Sequence, residues 1–478
     1  MLNLPQPISR LTALAAKLNP WKSRALGQQP RPLVLGVEGH GIRRTQIHPH
    51  ILFIVEQLHR NGHQALLVGG AVRDILLGRT PKDFDLVTSA RPEQVRRLFR
   101  NARIIGRRFR LALLRFGEMK VEVSTFRGPV KHTKDGMIHR DNSFGTPSED
   151  AFRRDFTVNA LMFDPLDLTL IDFTGGLEDL QARRIRTISP PDVSFTEDPV
   201  RMLRAIRFKV RLDFALDPDV QAAIRPMTDG LERVTRHRLA DELQRFLTAG
   251  IAQQTFPEFD QYGLLRPLLG MEGHEWFFAD EHRRNPLAAL RPYLATLDAW
   301  MAAGRETPAP TVTLLGVLTV LARPQFRDYL SGHLADTPTD RKVLRTIKQR
   351  LPKMLGEWGL LRGQVEPALR ILGATRMAIG AHAEPARKAH RPRLGEREAI
   401  LLVALIAPLV GVPQHQADAE LARLPDLPDL PILDHPRPAN RTEATTDAAP
   451  VPSDFPRSEP SRKRRRPRRK SRHRNAAP

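Results

Sequence analysis

The apolar positions near residue 70 predict a small α/β unit. Residues 51–58 place apolar side chains at helical spacing, and residues 66–68 form a short apolar run that ends at a pair of glycines. Residues 71–77 have the length of two helical turns before Gly78, and residues 83–87 then alternate like a half-buried strand. The pattern therefore predicts a strand, a glycine turn, a short helix and a second strand.

After residue 90 the pattern adds one helix and two strands before it becomes mainly helical. Helical spacing covers residues 92–100, and strand-like alternation covers residues 109–116 and 120–125. Helical spacing resumes over residues 149–160. Further helices are predicted at residues 197–210, 220–226, 238–248 and 255–269, within 311–355, and at 365–381 and 395–410. We therefore expect an α+β fold with an α/β head and an all-α remainder.

The charge of the chain indicates a polyanionic partner. The 478 residues carry a formal net charge of +22, and ten Lys and Arg residues stand between positions 462 and 474. The rest of the chain is also basic, which is typical of proteins that bind nucleic acid. Residues 413–460 are rich in Pro, Asp and Ala without periodicity, so we expect disorder there and in the tail that follows.

The composition excludes several classes of protein. The chain has no cysteine, which rules out disulfides and thiolate zinc sites. The N-terminus lacks the apolar core of a signal peptide, because Lys17 interrupts residues 11–18 and Pro20 follows. The longest apolar run, residues 399–410, is too short to span a bilayer. These features predict a soluble, cytoplasmic protein with no membrane partner.

Three carboxylates are candidates for chemistry. Asp83 and Asp85 are two residues apart on a predicted strand and therefore point to the same face. Adjacent carboxylates repel each other unless a cation neutralises them, and hard oxygen ligands suit Mg²⁺. Glu122 lies on an alternating strand from which it can face this pair. The alternatives are a solvated strand edge for the pair and a surface position for Glu122.

The glycine pair precedes these carboxylates. Gly69 and Gly70 let the backbone approach a bulky charged group, with amides that can face a phosphate. A plain turn is the alternative. A phosphate-facing turn beside a metal-binding carboxylate pair is the layout for nucleotidyl or phosphoryl transfer.

Residues 66–85, with their GG, VRD and D-x-D elements, resemble the signature of the class II nucleotidyltransferases. That family comprises tRNA CCA-adding enzymes and bacterial poly(A) polymerases. The resemblance implies a polymerase-β-like fold, two Mg²⁺ ions with Asp83 and Asp85 as ligands, ATP as substrate, and Glu122 near the attacking hydroxyl. It also implies that Arg73 supports the triphosphate, and a salt bridge or cap within the helix is the structural alternative for Arg73.

Residues 153–159, RRDFTVN, match a second motif of this family. The resemblance assigns Arg154 and Asn159 to nucleotide binding and counts Asp155 among the catalytic carboxylates, as an alternative to Glu122 for the third position. Without the resemblance, this stretch would be read as the solvated face of a helix.

Residues 197–201, EDPVR, match a third motif. Asp198 and Arg201 are three residues apart and share one face of a helix. Together they offer an acceptor and a planar donor fork, which suits the Watson–Crick edge of a base. A capping carboxylate with an i,i+3 salt bridge is the alternative.

Residues 104–111 resemble the signature that separates poly(A) polymerases from CCA-adding enzymes, with Leu113 standing where histidine is common. We expect RNA contacts from this stretch and from the tail, at Arg107, Arg108, Arg464, Arg465, Arg466, Arg468 and Arg469. The expected activity is template-independent addition of AMP from ATP to RNA 3′ ends by a monomer. The alternatives are a CCA-adding enzyme acting on tRNA and a catalytically inert RNA-binding protein, against which the intact carboxylates argue.

Tailing of RNA to promote its decay is the expected biological role, with RNA-decay proteins as possible partners.

These features divide the chain into five parts. The parts are a flexible N-terminal segment (1–45), a nucleotidyltransferase catalytic head (46–190), a helical neck that binds nucleotide and RNA (191–270), a helical body (271–412), and a disordered linker with the Arg-rich tail (413–478).

Overall fold

The computed structural model describes residues 31–106, 110–128, 144–271, 275–330, 338–360, 362–381, 396–410 and 414–421. A mixed eight-stranded sheet organises the first part of this chain, and its strands run in the order β1-β8-β7-β2-β3-β6-β5-β4. The strands are β1 (Leu33–Leu35), β2 (Ala65–Val68), β3 (Phe84–Thr88), β4 (Ala102–Ile105), β5 (Leu111–Phe116), β6 (Met119–Thr125), β7 (Met162–Asp164) and β8 (Thr169–Asp172).

Within this sheet β3 and β6 are parallel, and the other neighbouring strands are antiparallel. A separate parallel pair consists of β9 (Arg184–Ile185) and β10 (Ala215–Leu216). The helices of this part are α1 (Val37–His40), α2 (Pro49–Arg60), α3 (Gly70–Leu76), α4 (Pro92–Leu98), α5 (Pro147–Phe152) and α6 (Gly176–Gln181), with 3-10 turns at Arg44–Gln46 and Thr157–Asn159.

The two faces of the large sheet are covered differently. Helices α2, α3 and α4 pack on one face, where the alternating apolar side chains of the strands join the main hydrophobic core. On the opposite face, a small core around Val68, Val87 and Met162 covers the side of β2 and β7. On β5 and β6 that face instead carries exposed polar side chains, including Arg115, Lys120 and Glu122. This open face positions the candidate site.

The remainder of the described chain is helical, as the pattern predicts. Its centre is the helix Pro310–Leu321, which is apolar on all sides and buried along its length, as expected of a helix surrounded by other helices. The helices are α7 (Pro191–Glu197), α8 (Val200–Leu212), α9 (Pro218–Ile224), α10 (Arg236–Leu247), α11 (Ala252–Gln261), α12 (Leu265–Leu269), α13 (Asp280–Arg284), α14 (Pro286–Ala302), α15 (Pro310–Leu321), α16 (Pro324–Leu330), α17 (Pro338–Glu357), α18 (Arg362–Ala381), α19 (Glu396–Val410) and α20 (Gln414–Leu421), with a 3-10 segment at Arg225–Arg233. None of the helices in the described ranges is long and apolar enough to cross a membrane.

Two segments that the composition predicts to be flexible contain regular structure. Within residues 1–45, β1 pairs antiparallel with β8, because Leu33 and Leu35 pack against the hydrophobic core. Within residues 413–478, α20 forms, because Ala417 and Leu421 are fully buried. Both expectations of disorder are therefore wrong for these residues, since a few apolar contacts outweigh a polar composition. The Arg-rich tail lies outside the described residues.

The predicted helix over residues 149–160 is also wrong in its extent. Helix α5 ends at Phe152, and Phe156 has extended backbone with φ −126° and ψ 147°. Thr157 is held elsewhere, because its amide donates to the carbonyl of Arg186 and its hydroxyl donates to Asp179 at 2.6 Å. The RRDFTVN motif therefore lies on a bend that sends successive side chains in different directions.

Candidate active site

Asp85 and Glu122 lie side by side on the open face of the sheet. They are register partners on the parallel strands β3 and β6, and both are exposed. Asp83, also exposed, stands just before β3. The neighbouring strand places Leu113 in register with Glu122, and Arg103 of the edge strand is in register with Leu113. A row of side chains therefore runs from the carboxylates outward to the edge of the sheet.

The electrostatics of this carboxylate group favour a cation. Partial desolvation by the surrounding protein raises the pKa of Asp85 to about 6, assisted by the negative charges of Glu122 and Asp83 and opposed by Arg154. Like charges converge here at a place that remains open to solvent. Among the described residues, no three acidic or histidine side chains already form a closed metal-binding group.

The glycine turn lies between β2 and α3. Gly69 has φ 75° and ψ −129°, a conformation that is strained for any residue with a Cβ. A Cβ added at this position would lie 3.6 Å from Nη1 of Arg154 and 3.7 Å from the carbonyl oxygen of Asn159. Gly70 begins α3 and needs no positive φ. The turn therefore brings the backbone close to the RRDFTVN bend.

Arg73 adopts the buried salt bridge that the sequence leaves open as an alternative. Its Nε and Nη2 donate to Oδ1 of Asp74 at 2.9 and 2.7 Å, and its Nη1 donates to Oδ1 of Asn159 at 2.5 Å. The side chain is 3% exposed, and burial lowers the pKa of Arg73 against the opposing charge of Asp74. In this structure Arg73 links the glycine turn to the bend and directs its bonded donors at protein groups.

Asp155 is held by hydrogen bonds from neighbouring protein groups. Its Oδ2 accepts from Nε and Nη2 of Arg204 on α8, at 2.7 and 2.6 Å. Its Oδ1 accepts from Nδ2 of Asn159 and from the amide of Phe156. Burial would raise the pKa of Asp155, but the charge of Arg204 and these hydrogen bonds hold it well below its usual range. Glu122 is thus the register partner of Asp85, whereas both oxygens of Asp155 are engaged by protein donors.

Asp150, which the sequence reasoning missed, organises two arginines. Its Oδ1 accepts from Nε of Arg127 at 2.7 Å, and its Oδ2 accepts from Nε and Nη2 of Arg154 at 3.0 and 2.8 Å. Burial raises the pKa of Asp150, but these two guanidinium groups outweigh burial and lower it to about 2. The available sequence signal was the i,i+4 spacing of Asp150 and Arg154.

Asp198 and Arg201 do not form the i,i+3 pair that the spacing allows. Asp198 accepts at Oδ1 from the amide of Val200 and at Oδ2 from Nη2 of Arg238 at 2.6 Å. Arg201 donates from Nη1 to Oε2 of Glu197 at 3.1 Å and to Oγ of Ser194 at 3.0 Å. Both side chains nevertheless face the same cavity.

That cavity has a volume of about 490 Å³ and is strongly cationic. Seven arginines line it against four carboxylates, so it suits an anionic ligand. Its lining consists of Arg127, Arg153, Arg154, Asp155, Asp198, Arg201, Arg204, Arg238, Asp241, Glu242 and Arg245. The structure thus brings Arg154, Asp155, Asp198 and Arg201 to one cavity. The predicted RNA contacts at Arg107, Arg108, Arg464, Arg465, Arg466, Arg468 and Arg469 lie outside the described residues.

Two families of known proteins match parts of the chain between residues 65 and 273. Residues 65–186 match the family described as Poly A polymerase head domain, and residues 213–273 match the family described as Probable RNA and SrmB- binding site of polymerase A. Poly(A) polymerase I of Salmonella typhimurium is 42% identical over 250 residues, covering 50% of this chain and 54% of that protein. The CCA-adding enzyme of Geobacillus thermodenitrificans is 34% identical over 267 residues, covering 56% of this chain and 63% of that protein.

Among solved structures, the tRNA-processing enzyme in apo form I aligns with a TM-score of 0.50 at 24% identity. The alignment covers 78% of this chain and 91% of that chain, and it shows a shared fold. The chain spans about half the length of the curated poly(A) polymerases that it matches.

Proposed function

We propose that this chain is a class II nucleotidyltransferase and that it adds AMP units from ATP to RNA 3′ ends without a template. The observation that carries this proposal is that Asp85 and Glu122 are exposed register partners on the open face of the sheet. Arg154, which lines the cationic cavity, is near enough to Asp85 to lower the pKa of Asp85. A triphosphate in the cavity would then have its reacting phosphate beside the carboxylates.

The residues present fit divalent cations, with Asp83 and Asp85 as ligands. The negative charges of Glu122 and Asp83 raise the pKa of Asp85, which is the repulsion that a cation would relieve. When bound, two Mg²⁺ ions supply a Lewis acid at the phosphoryl group and neutralise charge on the attacking and leaving oxygens. Glu122 would lie near the attacking hydroxyl, as the third carboxylate of the site.

The chain's own groups would position the nucleotide. Asp150 binds Nε and Nη2 of Arg154, and Nη1 of Arg154 remains beside the glycine turn without a hydrogen-bond partner among the described residues. We assign this nitrogen to a phosphate oxygen, with Gly69 allowing close approach of the backbone. The 3′-hydroxyl oxygen would attack the α-phosphorus, the bond to the pyrophosphate oxygen would break, and the hydroxyl proton would leave to solvent or Glu122.

Adenine would be read from the neck side of the cavity. Asp198 and Arg201 line it, and Asp198 is held by Arg238 while Arg201 is held by Glu197. Because Arg238 and Glu197 hold Asp198 and Arg201 in place, the base-binding part of the cavity would keep one shape. A single shape suits repeated addition of the same nucleotide. Long adenylate tails would then mark RNA for decay. The roles of Asp155 and Asn159 that fit this geometry are to hold the head and α8 together around the nucleotide.

The test is incubation of the full chain with a short RNA, Mg²⁺ and each nucleoside triphosphate separately, followed by sequencing of the product ends. We expect homopolymeric adenylate from ATP and poor use of CTP. A discrete CCA end on tRNA lacking these nucleotides would instead identify a CCA-adding enzyme, and RNA binding without incorporation would identify an inert relative.

The same substitution at Asp85 and at an exposed acid away from the site gives a matched comparison of AMP incorporation. Asp85→Asn should lower AMP incorporation at least about a thousandfold, because several kcal/mol of transition-state stabilisation depend on the site. Asp213→Asn is the control, since Asp213 is an exposed acid paired with Arg183. A folded Asp85→Asn protein with more than a tenth of normal activity would refute the assignment.

A further inference from the structure

Three basic side chains share the open face of the sheet with the carboxylates. Arg115 on β5 is in register with Lys120 on β6, and Arg103 on β4 is in register with Leu113, the register partner of Glu122. Register partners on adjacent strands present their side chains to the same face. Arg103, Arg115, Lys120 and Glu122 are all exposed. We call Arg103, Arg115 and Lys120 the cationic strip.

Among the residues that the structure describes, no carboxylate forms an ion pair with this strip. None of its three side chains forms an ion pair with any residue in the described part of the chain. Glu118, two residues from Lys120, is exposed in the turn after β5 and forms no ion pair with described residues either. The same surface is partly apolar, because Leu111 and Leu113 are half-buried and Ile105 is 38% exposed. Unpaired cations around apolar side chains suit a flexible polyanion that also carries apolar bases.

The strip lies on the side of the carboxylates that faces away from the nucleotide cavity. Across the sheet, Val68 is followed by Asp85, Glu122, Leu113 and Arg103 in one register row. Gly69 follows Val68 along the chain and Arg154 lies beside Gly69, whereas Arg103 ends the row on the edge strand. Three strand spacings, roughly 14 Å, separate Asp85 from Arg103. The reacting carboxylates therefore stand between the cationic cavity and the cationic strip.

We propose that the cationic strip binds the sugar-phosphate backbone of the last few nucleotides of single-stranded RNA and directs the 3′-hydroxyl to Glu122 and Asp85. This inference rests on the proposed function, because it adds the path of the acceptor strand to that same site. Contacts of Lys and Arg with phosphates release counterions and do not read sequence, so the strip accepts any RNA 3′ end.

The test compares two triple variants of the full chain. The first is Arg103→Gln, Arg115→Gln and Lys120→Gln. The control is Arg291→Gln, Lys348→Gln and Arg350→Gln, which removes two arginines and one lysine that are also exposed and without ion pairs among described residues, on helices α14 and α17. The dissociation constant of a labelled single-stranded RNA is measured at several salt concentrations without nucleotide.

For the strip variant, the slope of log affinity against log salt should become shallower by about 2, at roughly 0.7 per lost phosphate contact. That change corresponds to roughly fifty-fold weaker binding at 0.15 M salt. The KM for RNA should rise, while the KM for ATP and kcat at saturating RNA should stay unchanged. The control variant should keep the normal slope and the normal KM for RNA.

Two outcomes overturn the inference. One is a normal salt slope in the strip variant, and the other is an equal change in the control, which would assign the effect to net charge. Single substitutions at Arg103, Arg115 and Lys120 provide a second measurement if the triple variant does not fold, with a change of about 0.7 in slope for each. Failure of the normal protein to incorporate AMP would refute the proposed function alone, because the salt slope is measured without catalysis.

Discussion

The carboxylate of Asp150 offers a direct test of how the arginines near the glycine turn are held. Asp150→Asn keeps the shape of the side chain and removes its charge. The side chain of Asp150 is 1% exposed, and its two oxygens accept hydrogen bonds from Arg127 and Arg154. An asparagine can offer only one acceptor oxygen, so its amide would face the donors of one guanidinium group.

The magnitude follows from the pKa of Asp150, which is lowered from 3.8 to about 2. A shift of nearly two units corresponds to roughly 2 kcal/mol in favour of the ionised form. Removal of one partner from a fully buried pair costs about 3–5 kcal/mol. Arg127 and Arg154 are 23% and 17% exposed, so water compensates in part. We expect Asp150→Asn to lower the free energy of unfolding by about 2–3 kcal/mol at pH 7.

The contribution of Asp150 to the free energy of unfolding depends on pH with a definite sign. The folded-state pKa of Asp150 lies below the ordinary carboxyl value, so its stabilisation is present above about pH 4 and is lost as the pH falls toward 2. The normal protein should lose this contribution in that window, and Asp150→Asn should not. The KM for ATP should also rise in the variant, because Arg154 loses the partner that orients it.

The assay is urea denaturation between pH 2.5 and 7, together with steady-state kinetics at pH 7. Asp213→Asn is the matched control, because Asp213 pairs with Arg183 but is 93% exposed, and its φ of 58° is tolerated by asparagine. This control should change stability by less than about 0.5 kcal/mol. If Asp150→Asn has normal stability and a normal KM for ATP, the reasoning from buried charge is wrong.

Three further predictions concern Asp85, the glycine turn and the Arg-rich tail. Because the pKa of Asp85 without a cation is raised to about 6 and only its ionised form binds one, protons compete with Mg²⁺. The Mg²⁺ concentration for half-maximal AMP incorporation should therefore rise as the pH falls below 6, and a requirement that stays constant down to pH 5 would contradict this. Gly69→Ala should lower the free energy of unfolding in urea by about 1–3 kcal/mol, whereas Gly70→Ala, without a positive φ, should be neutral or slightly stabilising. Removal of residues 461–478 should raise the KM for RNA and flatten the salt dependence of RNA binding. The kcat at saturating RNA should stay unchanged. An unaltered salt slope would argue against RNA contact by the tail.

Local spacing was sufficient to predict the carboxylate face of the site. The period-two alternation of residues 83–87 and 120–125 predicts strands, and it assigns Asp85 and Glu122 to solvent-facing positions. The apolar runs around them fill the core on the opposite face, where a shift of one residue would bury the charges. The glycine turn was predictable for a similar reason, since a positive φ at Gly69 depends on the residue itself.

The partners of the charged residues could not be predicted from spacing. Arg204 is 49 residues from Asp155, and Arg238 is 40 residues from Asp198, so no local pattern relates them. In the sequence, nothing distinguishes Asp150 from other acids on short helices. Only the folded chain places Arg127 and Arg154 against its carboxylate. Burial strengthens each ion pair and penalises each unpaired charge, and both effects depend on which elements meet in space. The parallel pairing of β3 with β6, which are about thirty residues apart, likewise brings Glu122 beside Asp85, whereas the consecutive strands β4, β5 and β6 set Arg103 beyond it.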